Sequence, residues 1–184
     1  MPDSLTRSSA NPSTALFERR FDLPDEDATL AFGGRFAQAI LKLRSADSGI
    51  SNERFAGLQV QLIGDLGAGK TTLVRATLRS LGHAGRVRSP TYTLVEPYSL
   101  TTQTGLLELY HFDLYRFTDP AEWVDAGFRE YFDSGAICLI EWPQRAGGLL
   151  GLPDLEFTLE QEGEGRVLAA RAFSETGKSC LESC

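Results

Sequence analysis

Leu58, Val60 and Leu62 alternate with Gln59 and Gln61, a period of two that predicts a strand. A strand covered on both sides is apolar throughout, so one face of this strand is expected to be polar or thinly covered. Upstream, Leu30, Gly33, Ala37, Ile40 and Leu41 recur at helical spacing, with Pro24, Asp25 and Glu26 in the first turn and Asp22 as the expected cap. Residues 45–57 (SADSGISNERFAG) read as the loop joining that helix to the strand. Downstream, Val74, Leu78 and Leu81 share one face of a second helix, and Gly82 stands where a left-handed cap ends it. The pattern then turns to β. Residues 93–100 (TLVEPYSL) and 106–113 (LLELYHFD) flank the polar turn TTQTG and predict adjacent antiparallel strands. Residues 119–132 read as one or two short helices opened by Asp119 and Pro120. Residues 136–141 (AICLIE) form a continuous apolar run that ends in an acid and is stopped by Pro143, and LEFTLE and RVLAARAF around EGEG predict a terminal hairpin. Residues 1–14, rich in Ser, Thr and Pro, and the polar residues 174–184 are expected to fray. The sum is one domain over 1–184 with a three-layer α/β fold around a mixed central sheet.

Between the first predicted strand and the second helix lies GDLGAGKT, residues 64–71, which fits Gly, four residues, Gly-Lys-Thr. Glycines at 64, 67 and 69 let the backbone turn tightly and aim its N–H groups at phosphate oxygens, and the following helix N-terminus adds partial positive charge. Asp65, Leu66, Gly67, Ala68, Gly69, Lys70, Thr71 and Thr72 therefore form the expected cradle for a nucleoside triphosphate. In this pattern Lys70 reaches the β and γ phosphates and Thr71 ligates Mg²⁺. A second match, GKS at 177–179, is set aside because position 172 is Ala172 rather than Gly and no helix is expected after it.

A phosphate loop alone does not distinguish a hydrolase from a kinase or a switch, so the strand-end acids matter. Glu141 closes a buried apolar strand, the usual place for the acid that completes the Mg²⁺ shell opposite the loop threonine. Asp113 ends another strand and could orient and activate an attacking water; a turn or cap acid is the competing reading. Between them lies RVRSPTYTLVEPY, residues 86–98, where Pro90 biases Ser89 to extended backbone and Thr91 and Thr93 offer hydroxyls where switch segments sense a γ-phosphate. A surface loop entering a strand reads equally well there. His111 is expected to be a structural strand histidine satisfied by a neighbour, and His83 a solvated turn residue. Arg75, Arg79, Arg86 and Arg88 form either a solvated face or a basic patch, and Arg116 could supply charge at the γ-phosphate.

A net charge of −7 argues against a surface that wraps nucleic acid by charge alone. Cys138, Cys180 and Cys184 lack metal-ligand spacing, and Cys138 in its apolar run is expected to be a core residue in a reduced compartment. No stretch approaches the ~18 apolar residues of a membrane span, and the N-terminus lacks an apolar signal core, so a cytoplasmic location with no membrane contact is expected.

Taken together and in order, GDLGAGKTT (64–72), SPTYTLVEPY (89–98), YHFDLYR (110–116) and ICLIEWP (137–143) closely resemble the TsaE family, over residues 23–173 or so. These are small bacterial ATPases needed to make threonylcarbamoyladenosine on tRNA. The resemblance implies a P-loop NTPase-like fold that binds ATP and Mg²⁺. It also implies work with two partners, the tRNA threonylcarbamoyltransferase subunit and its non-catalytic paralogue, with tRNA met only through that complex. Hydrolysis is thought to reset the assembly between turnovers. By position, residues 67–72 match the family's phosphate loop with Thr71 as Mg²⁺ ligand, and Glu141 matches its second Mg²⁺-associated acid. Asp113 matches the acid implicated in hydrolysis, residues 89–93 the mobile segment, and residues 25–29 the segment near the adenine. Trp142 and Pro143 follow Glu141 as in the family. Trp123 departs from the acidic and aliphatic look of that segment in related chains. The alternative activity is a small P-loop kinase acting on a metabolite, which needs an acceptor-binding insert and an arginine-bearing lid. A GTP switch ranks last, because Asn-Lys-x-Asp is absent.

Overall fold

The computed structural model describes residues 14–46 and 55–184. Its centre is a seven-stranded mixed sheet in the order β1-β7-β6-β2-β5-β4-β3. The strands are β1 (Phe17–Leu23), β2 (Leu58–Ile63), β3 (Val95–Thr102), β4 (Gly105–Asp113), β5 (Ile137–Glu141), β6 (Leu155–Glu162) and β7 (Gly165–Ala172). The three strands β4, β5 and β2 run parallel at the centre, with β6 parallel to β2 on its other side. The two hairpins, β3 with β4 and β6 with β7, are antiparallel, as the polar turns at 101–105 and 162–165 predict. The strand β1 lies outside the elements read from the sequence, since its FERRFDL run alternates only at its end. It pairs antiparallel with β7 along its whole length, and only Phe21 and Leu23 are buried.

One face of the sheet carries α1 (Glu26–Ala46), α2 (Lys70–Ser80) and α5 (Glu175–Glu182). Leu58, Val60, Leu62, Leu109, Leu139 and Phe157 project toward it and meet Phe32, Phe36, Ile40, Val74 and Leu78. The two long helices approach closely at Gly33, where a Cβ would come within 2.5 Å of the Ala76 Cβ. The opposite face is covered by smaller pieces: α3 (Pro120–Asp125), α4 (Arg129–Phe132) and a 3-10 segment, Pro143–Leu150. Phe112 is the hub there, packed on Trp123, Phe128, Tyr131 and Phe132. Trp123 is thus a core residue stacked on Phe132 at 5.7 Å.

The polar face of β2 finds its explanation here. Gln59 and Gln61 donate to the carbonyls of Leu150 (3.1 Å) and Gly151 (3.5 Å), so the two amides satisfy carbonyls at the end of the 3-10 segment.

Three expectations are corrected. The cap of α1 is Asp25, whose Oδ1 accepts from the Ala28 N–H at 2.8 Å, while Asp22 lies in β1 opposite Val167. The loop expected at 45–57 starts later, because Ser45 and Ala46 still belong to α1; residues 47–54 lie outside the described residues. Residues 174–184 do not fray. Ser174 caps α5 by accepting from the Gly177 N–H at 3.0 Å and donates to Asp154 at 2.6 Å, and Cys180 and Leu181 are fully buried. The GKS match at 177–179 therefore lies inside a helix, with Gly177 packed on the Asp154 backbone, and is no phosphate loop. The frayed end expected at 1–14 falls, apart from Thr14, outside the described residues. Cys138 is buried as expected, and burial pushes its thiol up to about 12. Among the described residues no helix is long and apolar enough to cross a membrane.

Candidate functional site

The site is built by three parallel strands that end on the same edge of the sheet. β2 runs into the glycine-rich loop, β5 ends at Glu141, and β4 ends at Asp113. Register sets the acids beside each other: Glu141 pairs with Leu62 on one side and with Asp113 on the other. Alternation sets the face. Leu109, His111 and Asp113 on β4, and Leu139 and Glu141 on β5, point to the side that carries α2, so every second residue past the apolar core is delivered to the loop.

The loop itself is held by close packing. Gly64 has φ 153°, and a Cβ there would come within 2.6 Å of the Leu159 carbonyl oxygen. Gly69, at φ 103°, opens α2 in a left-handed conformation that L side chains rarely adopt. Gly67, at φ 81°, lies in the same left-handed region.

Around this loop lies a cleft of about 400 Å³, walled by Leu66, Gly67, Gly69, Lys70, Thr71 and Thr72 and, opposite them, by Ser89, Thr91, Asp113, Arg116 and Glu141. Asp65, exposed, contributes its carbonyl, and Ala68 is buried under the loop. Thr71 Oγ1 lies 2.9 and 3.1 Å from the two Glu141 oxygens, so the two side chains expected to share a metal touch one another. Lys70 donates to the carbonyls of Gly64 (2.5 Å) and Asp65 (2.9 Å). Burial pushes its pKa below the ordinary lysine value, while Glu141, Asp113 and Asp65 pull the other way. A buried ammonium facing acids, with only backbone carbonyls as acceptors, is suited to exchange them for phosphate oxygens. Asp113 accepts from the Ser89 hydroxyl on Oδ2 and from the Tyr115 N–H on Oδ1 at 3.0 Å, so the acid is tied to the segment expected to move.

The donor set also fits magnesium. Among the described residues no group of three or more His, Cys, Asp and Glu is placed to hold a metal ion by protein atoms alone. One hydroxyl and one carboxylate, with the remaining positions left to phosphate and water, is the way Mg²⁺ is usually held.

Four residues matter here that sequence reasoning underrated or missed. Trp142 adopts left-handed backbone at φ 57° and sets its ring 4.2 Å from Lys70 Nζ, with Tyr115 against it at 5.0 Å. A Trp following a strand-end acid is visible in the sequence, but its contact with Lys70 needs the fold. Arg166, at the start of β7, donates to the carbonyls of Ala68 (3.0 Å) and Gly67 (3.2 Å) and so pins the outside of the loop. Nothing local in GEGRV signals this. Arg116, whose distance from the site sequence leaves open, lines the cleft and stacks over Tyr92 at 4.8 Å. His111 is satisfied by a neighbour, as expected, and that neighbour is Glu141, at 2.8 Å. His83 is not a freely solvated turn residue; it is half-buried and packs edge-on against Tyr98 at 4.9 Å. Arg86 and Arg88 line a hollow that includes the 89–93 segment and shares Ser89 and Thr91 with the cleft. A second hollow, about 290 Å³, adjoins the loop between Asp25, Glu26, Thr29 and Arg166, which puts residues 25–29 next to the cradle.

Comparison with known proteins agrees with this architecture. Residues 23–169 match the model of the family described as threonylcarbamoyl adenosine biosynthesis protein TsaE. The chain is 40% identical over 161 residues to the tRNA threonylcarbamoyladenosine biosynthesis protein TsaE of Haemophilus influenzae, covering 88% of this chain and 94% of that one. It is 39% identical over 103 residues to the protein of the same name from Bacillus subtilis, covering 56% and 61% of the two chains. The crystal structure of Bacillus subtilis YdiB superposes with a TM-score of 0.66 at 25% identity, covering 92% of this chain and 95% of that one. With a family match across most of its length and the α/β architecture of a P-loop NTPase-like fold, the chain belongs to the TsaE family.

Proposed function

We propose that this protein is a Mg·ATP hydrolase that serves the threonylcarbamoyladenosine modification of tRNA. It works in the cytoplasm with the threonylcarbamoyltransferase subunit and its non-catalytic paralogue, and reaches tRNA through that assembly. The observation that carries the reading is the convergence of Lys70, Thr71, Glu141 and Asp113 on one cleft at the ends of three parallel strands. The names of the Haemophilus influenzae and Bacillus subtilis relatives support the biosynthetic setting.

Residues 65–72 cradle the triphosphate. Lys70 gives up the Gly64 and Asp65 carbonyls for the β and γ oxygens, while the Trp142 ring stays 4.2 Å from its ammonium. Thr71 and Glu141 would hold Mg²⁺, which when bound neutralises charge developing on the phosphate oxygens. Asp113 orients the attacking water and accepts its proton. In the free protein Asp113 Oδ2 accepts from the Ser89 hydroxyl and Oδ1 from the Tyr115 N–H, and each oxygen keeps a further lone pair for the water. The Ser89 bond ties the acid to residues 89–93, the segment on which a partner subunit can act.

The test is to incubate the chain with γ-labelled ATP, alone and with the two partner subunits. Slow release of labelled phosphate, accelerated by the partners, is expected. Label recovered on an organic acceptor would make the protein a kinase and end the proposal.

A further inference from the structure

We infer that His111 is a positioning residue for Glu141, fixing which carboxylate oxygen faces the cation; the inference rests on the Mg·ATP reading above. His111 is fully buried in β4, two residues before Asp113 and on the same face of the sheet. Its Nε2 lies 2.8 Å from Glu141 Oε1. An ionised carboxylate only accepts, so the imidazole carries its hydrogen on Nε2. The other ring nitrogen, Nδ1, is buried with no hydrogen-bond partner among the described residues. A donor there would be stranded, which selects the same tautomer.

The consequence lies in Glu141. Its side chain is 3% exposed and ends a strand buried along its length. Oε1 receives His111 from within the sheet, and the single Thr71 hydroxyl hydrogen is shared between Oε1 (2.9 Å) and Oε2 (3.1 Å), which among the described residues has no other donor. A carboxylate held on one oxygen by a rigid ring cannot rotate, and Oε2 keeps the spare acceptor capacity. The ring therefore does for this acid what outer-shell partners do for metal ligands in general: it sets orientation before the ion arrives. A histidine that merely filled space in a strand would leave Glu141 free to turn.

Two substitutions separate the roles. Gln at 111 carries an amide N–H near the Nε2 position and can keep the bond, whereas Asn reaches only the Nδ1 position and cannot. In calorimetry with a non-hydrolysable ATP analogue, His111→Asn should raise the Mg²⁺ concentration for half-saturation about tenfold. Its affinity for the analogue without metal should stay close to that of the parent, and His111→Gln should recover most of the Mg²⁺ response. Equal Mg²⁺ titrations for the parent and His111→Asn, or equal impairment of Asn and Gln, would overturn the inference while leaving the ATPase reading intact. A parent protein with no Mg²⁺-dependent nucleotide binding would overturn both. Independently of any ligand, ¹⁵N resonances of the imidazole in the free protein should show hydrogen on Nε2; the Nδ1–H pattern would refute the contact itself.

Discussion

The inner end of the cleft and its rim obey different rules. At the inner end Lys70, Asp113, Glu141 and His111 are each 5% exposed or less; Glu141 and His111 bond to each other, Lys70 to the loop backbone, and Asp113 to Ser89 and the Tyr115 N–H. At the rim Leu66 is 79% and Tyr92 84% exposed, and the Tyr92 ring is met by the Arg116 guanidinium. Buried polar groups lose much when a partner is removed, because water cannot replace it; exposed ring contacts lose little. Chemistry that needs fixed geometry sits where substitution is costly. The exposed ring contacts sit where it is cheap.

This contrast can be broken most sharply at Lys70. Lys70→Ala removes the buried cation at the phosphates, and charge-assisted bonds contribute about 1.5–3 kcal/mol each. Nucleotide affinity should fall roughly 100-fold or more by calorimetry, with hydrolysis lost. Asp113→Asn should bind nucleotide as the parent does and lose turnover by about 100-fold or more. Normal phosphate release from that variant would mean another group activates the water. Glu141→Gln should shift the Mg²⁺ titration of binding by about tenfold while metal-free affinity holds; an unchanged titration would remove the acid from the metal site. At the rim, Tyr92→Ala should change the basal hydrolysis rate less than about twofold and unfolding free energy by about 0.5 kcal/mol. An inner-site-sized loss at Tyr92 would erase the distinction between the two regions.

Much of the scaffold was legible because its periodicities are local. The 59/61 alternation, the apolar run ending at Glu141 and the polar turn before Gly105 each announce an element, and β2, β5 and the β3–β4 hairpin stand where those signals lie. β1 was not legible, because FERRFDL has only two buried residues and draws its order from β7. Nor was α5: its sequence is polar, and it folds because Ser174 finds Asp154 and Cys180 finds the core. Within the cleft, Lys70 and Thr71 were legible from spacing, since glycine count and a following helix carry the chemistry locally. The roles of Trp142, Arg166 and His111 were not, because each depends on a neighbour brought from a different strand or loop.

The sequence by itself determined that this chain carries a glycine loop between a strand and a helix, and acids at the ends of two later strands; backbone freedom and hydrophobic period are properties of short segments. Only the tertiary structure decided that Glu141 sits beside both Thr71 and His111, that Ser89 holds Asp113, and that a tryptophan in left-handed backbone covers the lysine. Those contacts join residues up to 72 positions apart, between Lys70 and Trp142. Sheet register and burial bring them together, and neither is written in any local stretch of chain.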